Sequence, residues 1–145
     1  MRFQVIVIII ISCCFSKNLS FSAGIDENIN LLSLRNDFTL DESNNLFATV
    51  GVGLGLNMFF SGFKYDSNYR NVGNSIIICI GVSEGRDRNN EAIINKTMQV
   101  SFFRKLMIGR SNKSFLNLGI TYWHFFDSKK QPISYLPVLS YNINF

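Results

Sequence analysis

The stretch LFATVGVGLGLNMFF, residues 46–60, alternates between two kinds of side chain. On an extended chain, one face would be apolar throughout, from Leu46 to Phe60. The other face would carry Thr49, Asn57, three glycines and two phenylalanines. Because successive side chains of a strand point to opposite faces, this period of two predicts one long β-strand with an apolar face and a mostly small or polar one.

The same alternation returns along the rest of the chain. Regular runs begin at Ser75, Thr97, Phe115 and Ser134, and a noisier run covers residues 28–40. Polar connections rich in Gly and Asn separate them, of the length found in hairpins. The pattern predicts an all-β, up-and-down antiparallel barrel with six to eight strands, and no helix after the N-terminal segment.

Length and charge narrow the function classes. A chain of 145 residues has the size of one domain. The net charge is +4, but the Lys and Arg residues are scattered among acidic ones. A nucleic-acid-binding surface would gather them on one face, so nucleic acid is not expected as a partner.

The N-terminal segment has the order of a secretory signal peptide: a basic Arg2, a short apolar run over residues 5–11, and small residues at Ser22 and Ala23. We expect cleavage after Ser22 or Ala23, which divides the chain into a signal peptide at 1–22 and a barrel domain at 23–145. An alternative is a bacterial lipoprotein signal ending at Cys13. After cleavage at residue 22 or 23, Cys79 would be alone, so no disulfide is expected.

Three features favour a barrel that spans a membrane over a soluble one. The runs are long enough for a tilted strand that crosses a bilayer, about 9–11 residues. Aromatic residues gather near strand ends, and the polar faces carry few charges. The apolar faces would then contact lipid and the polar faces would fill a narrow lumen without an open channel. The predicted lumen-facing polar residues are Thr49, Asn57, Gln99, Ser101, Lys105, Asn117, Thr121 and Asn142.

The C-terminal sequence SYNINF resembles the end of Gram-negative outer-membrane β-barrels, small porin-like proteins among them. In that family the last strand ends in an aromatic residue that the barrel-assembly machinery reads. The resemblance implies location in the cell outer membrane, with outer-membrane lipid and the assembly machinery as partners. The corresponding assembly signal here is Leu139, Tyr141, Ile143 and Phe145.

The strand count leaves one question open. Six runs are visible, whereas bacterial single-chain barrels have at least eight strands. Either two short strands are hidden in the noisier segments, or the barrel is incomplete and pairs with a second copy in a homo-oligomer. Pro137 also removes one hydrogen-bond donor from the last run.

Chemistry-bearing motifs are sparse. His124 is followed by Asp127 and Ser128, but the spacing differs from that of barrels that deacylate lipid A. On one strand, His124 and Ser128 would be about 13 Å apart, too far for proton transfer. No catalysis, cofactor or metal site is expected, and the role is structural, adhesive or porin-like. The alternative is a soluble exported barrel that binds a small apolar ligand inside.

Overall fold

The computed structural model describes residues 18–53, 56–67, 73–86, 91–109, 113–126 and 135–145. Eight strands follow one another in sequence: β1 Leu19–Ile25, β2 Leu32–Thr39, β3 Asn44–Gly53, β4 Leu56–Asp66, β5 Gly73–Arg86, β6 Ala92–Met107, β7 Ser114–Phe125 and β8 Tyr135–Asn144. Each strand pairs antiparallel with the next, and β1 also pairs with β8. The chain therefore forms a closed up-and-down barrel.

This architecture confirms the predicted fold class, and its eight strands are the upper end of the predicted range of six to eight. One chain supplies every strand of the closed sheet, so strands from a second copy are not needed. Closure gives the backbone groups of every strand a neighbour on both sides, which removes the open edges of a sheet. Pro137 lies within β8 opposite Ile120, and the strand continues past it.

The opening run was expected to form one strand, and this prediction is wrong. Gly53 is paired with Leu56, so the chain reverses direction between them and the run supplies both β3 and β4. Leu54 and Gly55 are outside the described residues. Two paired residues share a face, whereas strict alternation would place 53 and 56 on opposite faces. The inward positions therefore change from odd numbers in β3 to even numbers in β4, and Met58 and Phe60 lie inside the barrel.

The other unforeseen strand is β1. It pairs with β2 from Leu19 to Ala23 and with β8 from Ser20 to Ile25. The expected signal-peptide cleavage positions, after Ser22 or Ala23, therefore lie within a strand that closes the barrel. Residues 1–17, which hold the apolar run and Cys13, are outside the described residues.

The two faces of the sheet differ in polarity. Outward side chains are predominantly apolar, and β5 shows this best: Ile76, Ile78, Ile80 and Val82 are each at least 39% exposed. Many inward side chains are polar, including Ser33, Thr49, Gln99, Ser101 and Thr121, all at most 4% exposed. The barrel thus has an apolar exterior and a largely polar interior.

The two ends of the barrel differ in what they carry. The terminal end is where β1 begins and β8 ends, with Ser20 paired to Asn144 and the Phe145 amide donating to the Leu19 carbonyl at 2.9 Å. The opposite end carries the connection between β1 and β2. Within the described part of the chain, no helix is long and apolar enough to cross a membrane.

Candidate functional site

The connection between β1 and β2 folds into the barrel instead of projecting from it. This inner turn, residues 26–30, is at most 4% exposed. Asp26 organises it: its carboxylate accepts hydrogen bonds from the backbone amides of Asn28 at 2.9 Å and Asn30 at 2.7 Å. The Ser33 hydroxyl donates to the same carboxylate at 2.5 Å. Aspartate bonded to backbone amides a few residues ahead is a usual way to hold a tight turn.

Polar side chains of the barrel wall bind the inner turn. The Ser101 hydroxyl donates to the Glu27 carbonyl at 2.6 Å. The Asn117 amide nitrogen donates to the Glu27 carboxylate at 3.3 Å, and the Gln99 amide nitrogen donates to the Asn28 carbonyl at 3.5 Å. These contacts explain why polar residues line the wall here, because a turn buried in a barrel brings backbone groups that need partners.

Gly51 and Gly53 of the opening run lie where the inner turn meets β3. A Cβ at Gly51 would overlap with the Asn30 side chain, and one at Gly53 would stand 2.8 Å from the Ile29 carbonyl oxygen and the Leu31 amide nitrogen. Any larger residue would displace the turn. The inner turn therefore packs against β3 at Gly51 and Gly53, where no side chain fills the space.

Next to the turn lies a charge cluster, defined as Glu27, Arg35, Asp37, Lys64, Asp66 and Lys105. Arg35 pairs with Glu27 and, through Nε at 2.6 Å, with Asp37. Lys64 Nζ is 3.3 Å from Asp37 and 3.0 Å from Asp66. Lys105 Nζ is 3.7 Å from Asp66. Three cations face three carboxylates, which offsets the cost of removing each charge from water.

A polar cavity of about 240 Å³ opens at the terminal end and has Asp37, Lys64, Asp66 and Lys105 in its lining. A smaller space of about 40 Å³, lined partly by the same residues, reaches inward to Arg35 and Glu27.

In the turn between β2 and β3, hydrogen bonds from the Asn44 side chain and nearby backbone amides hold the pKa of Asp41 below its usual range.

Aromatic and aliphatic side chains fill the lumen beside the charge cluster. Phe47, Met58, Phe60, Ile77, Cys79, Phe103 and Val138 form one buried group. The Arg35 guanidinium lies 4.0 Å from the centroid of the Phe47 ring, and Lys105 Nζ is 5.3 Å from that of Phe115. The inner turn, the charge cluster and these side chains together occupy the interior.

Most of the predicted lumen-facing residues lie inside. Thr49, Gln99, Ser101, Asn117 and Thr121 are buried, and the hydroxyl oxygens of Ser101 and Thr121 are 2.6 Å apart. Lys105 and Asn142 line the small space near the terminal end.

Asn57 is the exception among the predicted lumen-facing residues. It is exposed on the outer face of β4, opposite Val52 of β3 and Glu84 of β5. The reversal between Gly53 and Leu56 shifts the alternation by one residue, which turns Asn57 outward. The prediction that Asn57 faces the lumen is therefore wrong.

The residues of the expected assembly signal run from the middle of β8 to just past its end. Leu139 and Tyr141 are exposed on the outer face, Ile143 is half-buried, and Phe145 is 67% exposed. They alternate along the outer face of the C-terminal half of β8 and reach the terminal end at Phe145. Whether the assembly machinery reads them stays a prediction.

His124 is set apart from the interior network. It occupies an outward position in β7, and its ring centroid is 5.3 Å from that of Phe126. Asp127 and Ser128, which invited the comparison with a catalytic group, are outside the described residues. Among the residues that the structure does describe, no group of His, Cys, Asp and Glu is arranged to hold a metal ion.

The alternation of side chains predicts neither the inner turn nor, apart from Lys105, the charge cluster. Residues 62–74 were read as a connection and 28–40 as a noisy strand, and both contain inward charges. One signal was available: Arg35 and Asp37 are two residues apart, as are Lys64 and Asp66, which places opposite charges on the same strand face. Nothing in the sequence indicated that the turn would fold inward.

Comparison with known protein families, with curated proteins and with solved structures finds no match to this chain.

Proposed function

We propose that this protein is a small β-barrel of the Gram-negative outer membrane, with a closed lumen and a structural or adhesive role carried by its surface and connections. The observation that supports this best is the distribution of polarity, because the outer face is apolar and the interior contains ion pairs and hydrogen-bonded polar groups. Hydrocarbon around a barrel favours this arrangement.

The apolar surface is large for a protein in water. Exposed large apolar side chains occur on most strands, with Phe38, Ile80, Phe102, Ile120 and Leu139 each at least 50% exposed. Soluble monomers rarely expose continuous apolar patches larger than a few hundred Å². A closed sheet meets the other requirement of a bilayer, in which unpaired backbone groups have no partner.

A soluble barrel that holds an apolar ligand would need the reverse arrangement. Its interior would offer an open apolar cavity, whereas this interior contains the inner turn and the charge cluster. The two cavities at the terminal end are lined mainly by polar and charged side chains. The membrane proposal therefore accounts for more of the molecule.

A general porin-like role has less support than a structural one. Eight-stranded barrels are just wide enough for side chains to fill the interior. Here Phe47, Phe103 and Phe115 are each 1% exposed, beside the buried inner turn. We also expect no catalysis, since the Ser101 hydroxyl bonds to the inner turn and the Thr121 hydroxyl bonds to Ser101.

Cell fractionation tests the proposal directly. We expect the protein, expressed with its own leader, in the outer-membrane fraction, released by detergent but not by high salt or alkaline washing. Folded protein should migrate differently on a gel before and after boiling, as closed barrels do. Recovery in the soluble periplasmic fraction, without detergent, would contradict the membrane assignment.

A further inference from the structure

The outer wall carries an apolar groove of about 450 Å³ that runs across the strands near the opposite end. Strand register defines its two sides. One side is the outward row Leu34, Val50, Phe59 and Val82, which are neighbours on β2, β3, β4 and β5. The other side is the next outward row toward the opposite end, which contains Leu32 and Val52.

The floor of the groove is the row between these two sides. Ser33, Gly51, Met58 and Ser83 occupy it, and all belong to the inward-facing set. Gly51 has no side chain, and those of Ser33, Met58 and Ser83 point away from the groove, so only backbone lies between the two outward rows. The groove also reaches Phe21 of β1. From β1 to β6, where Ile94 also lines it, the groove crosses five inter-strand spacings of about 4.8 Å, so its length is roughly 24 Å.

The shape of the groove suits a flexible chain better than another barrel. A second copy would present a convex, rigid wall, which cannot fill a narrow depression. Association of two apolar walls within a bilayer also lacks a hydrophobic driving force and relies on close packing of small residues. The two outward rows consist mainly of Leu, Val and Phe.

Polar groups mark one part of the groove. Asn57 and Glu84 are paired neighbours on β4 and β5, in the row nearest the opposite end. An anionic carboxylate beside an amide, at the border of an apolar groove, complements a headgroup that carries an ammonium. A phospholipid with an ethanolamine headgroup has both parts.

We propose that this groove binds one phospholipid, with an acyl chain along the Leu34–Val82 row and its ammonium headgroup beside Glu84. The inference rests on the proposed membrane location and adds a specific lipid site to it. The site is distinct from the general lipid contact around the barrel because it combines a depression with a carboxylate on its border.

Native mass spectrometry of protein refolded into vesicles of mixed phosphatidylethanolamine and phosphatidylglycerol, then extracted in mild detergent, tests the site. We expect the wild-type chain to retain one phosphatidylethanolamine. Val50→Trp fills the groove and should lower the retained fraction at least tenfold. Ile120→Trp adds the same side chain to an exposed position of β7 outside the groove, and should retain lipid as the wild type does.

Glu84→Gln tests the contribution of the headgroup separately from that of the acyl chain. This variant should keep a bound lipid but lose the preference for phosphatidylethanolamine. If Val50→Trp does not fold, Val82→Phe gives the same comparison with a smaller addition. Wild-type protein that retains no lipid, or equal retention by the groove and control variants, would overturn the proposal.

The gel shift on boiling is recorded for every sample. Wild type that never inserts into vesicles counts against the membrane function itself. Inserted protein without bound lipid counts against the groove alone.

Discussion

At the scale of single residues, the absence of a side chain is as important as its presence. Gly51 and Gly53 leave room for the inner turn, and Asn30 occupies the space that a Cβ at Gly51 would need. Paired charges matter equally, since Arg35 and Lys64 each contact two carboxylates. The space left by the glycines and the pairing of the buried charges together allow a peptide segment to lie inside the barrel.

Gly51→Ala should destabilise the folded barrel by about 1–3 kcal/mol, the usual effect of overpacking. The added Cβ meets the Asn30 side chain. In an Asn30→Ala background the loss caused by Gly51→Ala should be smaller, because the clashing amide is gone. Equilibrium unfolding of the four proteins from lipid vesicles measures this coupling. Equal losses in both backgrounds would show that the turn is not seated on Gly51.

Phe145 offers a way to separate recognition from stability. Its side chain is 67% exposed, while its backbone amide closes the end of the barrel. Phe145→Ser keeps that amide, so unfolding in vesicles should change by less than about 0.5 kcal/mol, as for an ordinary surface substitution. In cells, however, its outer-membrane level should fall severalfold if the assembly machinery reads the terminal aromatic ring. Normal membrane levels of the variant would refute the assembly signal.

At the scale of elements, the residues of β1 would serve both as the end of a signal peptide and as a strand of the barrel. They resemble the small-residue end of a signal peptide, and the same residues close the barrel between β2 and β8. Removal of Leu19–Ser22 would leave three residues of the strand. Each backbone group left without a partner in hydrocarbon costs several kcal/mol.

We therefore predict that the mature chain begins before Leu19, so that β1 remains whole. Processing close to Ser16, or acylation and cleavage at Cys13, would both satisfy this requirement. Intact mass and N-terminal sequencing of protein extracted from the envelope distinguish them, because acyl chains add a defined mass. A mature N-terminus at Ala23 or Gly24 would contradict the prediction.

The outer face of β5 gives the sharpest test of its surroundings. Ile80 lies opposite Ser61, the central residue of β4, and is 65% exposed, whereas Leu40 lies past β2 at the terminal end and is 58% exposed. In a bilayer, Ile80→Arg should cost about 2–4 kcal/mol and Leu40→Arg about 0–1 kcal/mol. Unfolding from vesicles gives both values. Two near-neutral substitutions would indicate a surface in water.

At the scale of the whole molecule, the barrel is a filled cylinder. The inner turn enters from the opposite end, the charge cluster lies toward the terminal end, and aromatic rings occupy the space beside them. An eight-stranded barrel has little room to spare, so these groups leave the wall and the connections as the surfaces that can act on other molecules.

Purified protein in planar bilayers should show little or no general pore conductance, because the interior is occupied by Phe47, Phe103, Phe115 and the inner turn. A porin of known conductance, prepared in the same detergent, serves as the control for insertion. Stable, large single-channel currents from this protein would overturn the closed-lumen proposal and favour a conducting role.

The alternation of side chains was enough to predict an all-β barrel, because period two is a local property that each strand carries in its own sequence. It also predicted that Thr49, Gln99, Ser101 and Thr121 share a face, which the structure places inside. It failed where the chain reverses between Gly53 and Leu56, because Leu54 and Gly55 continue the same alternation of apolar and small residues in the sequence.

The sequence by itself determined the fold class, the polar and apolar faces of most strands and the outward position of the terminal aromatic residue. Only the tertiary structure decided that residues 19–25 close the barrel, that the inner turn folds into the lumen, and that Arg35 meets Glu27. The reason is the sequence distance over which each feature is set. Alternation follows from adjacent residues, whereas the packing of the inner turn on Gly51 and the pairing of charges depend on strands that only closure of the sheet brings together.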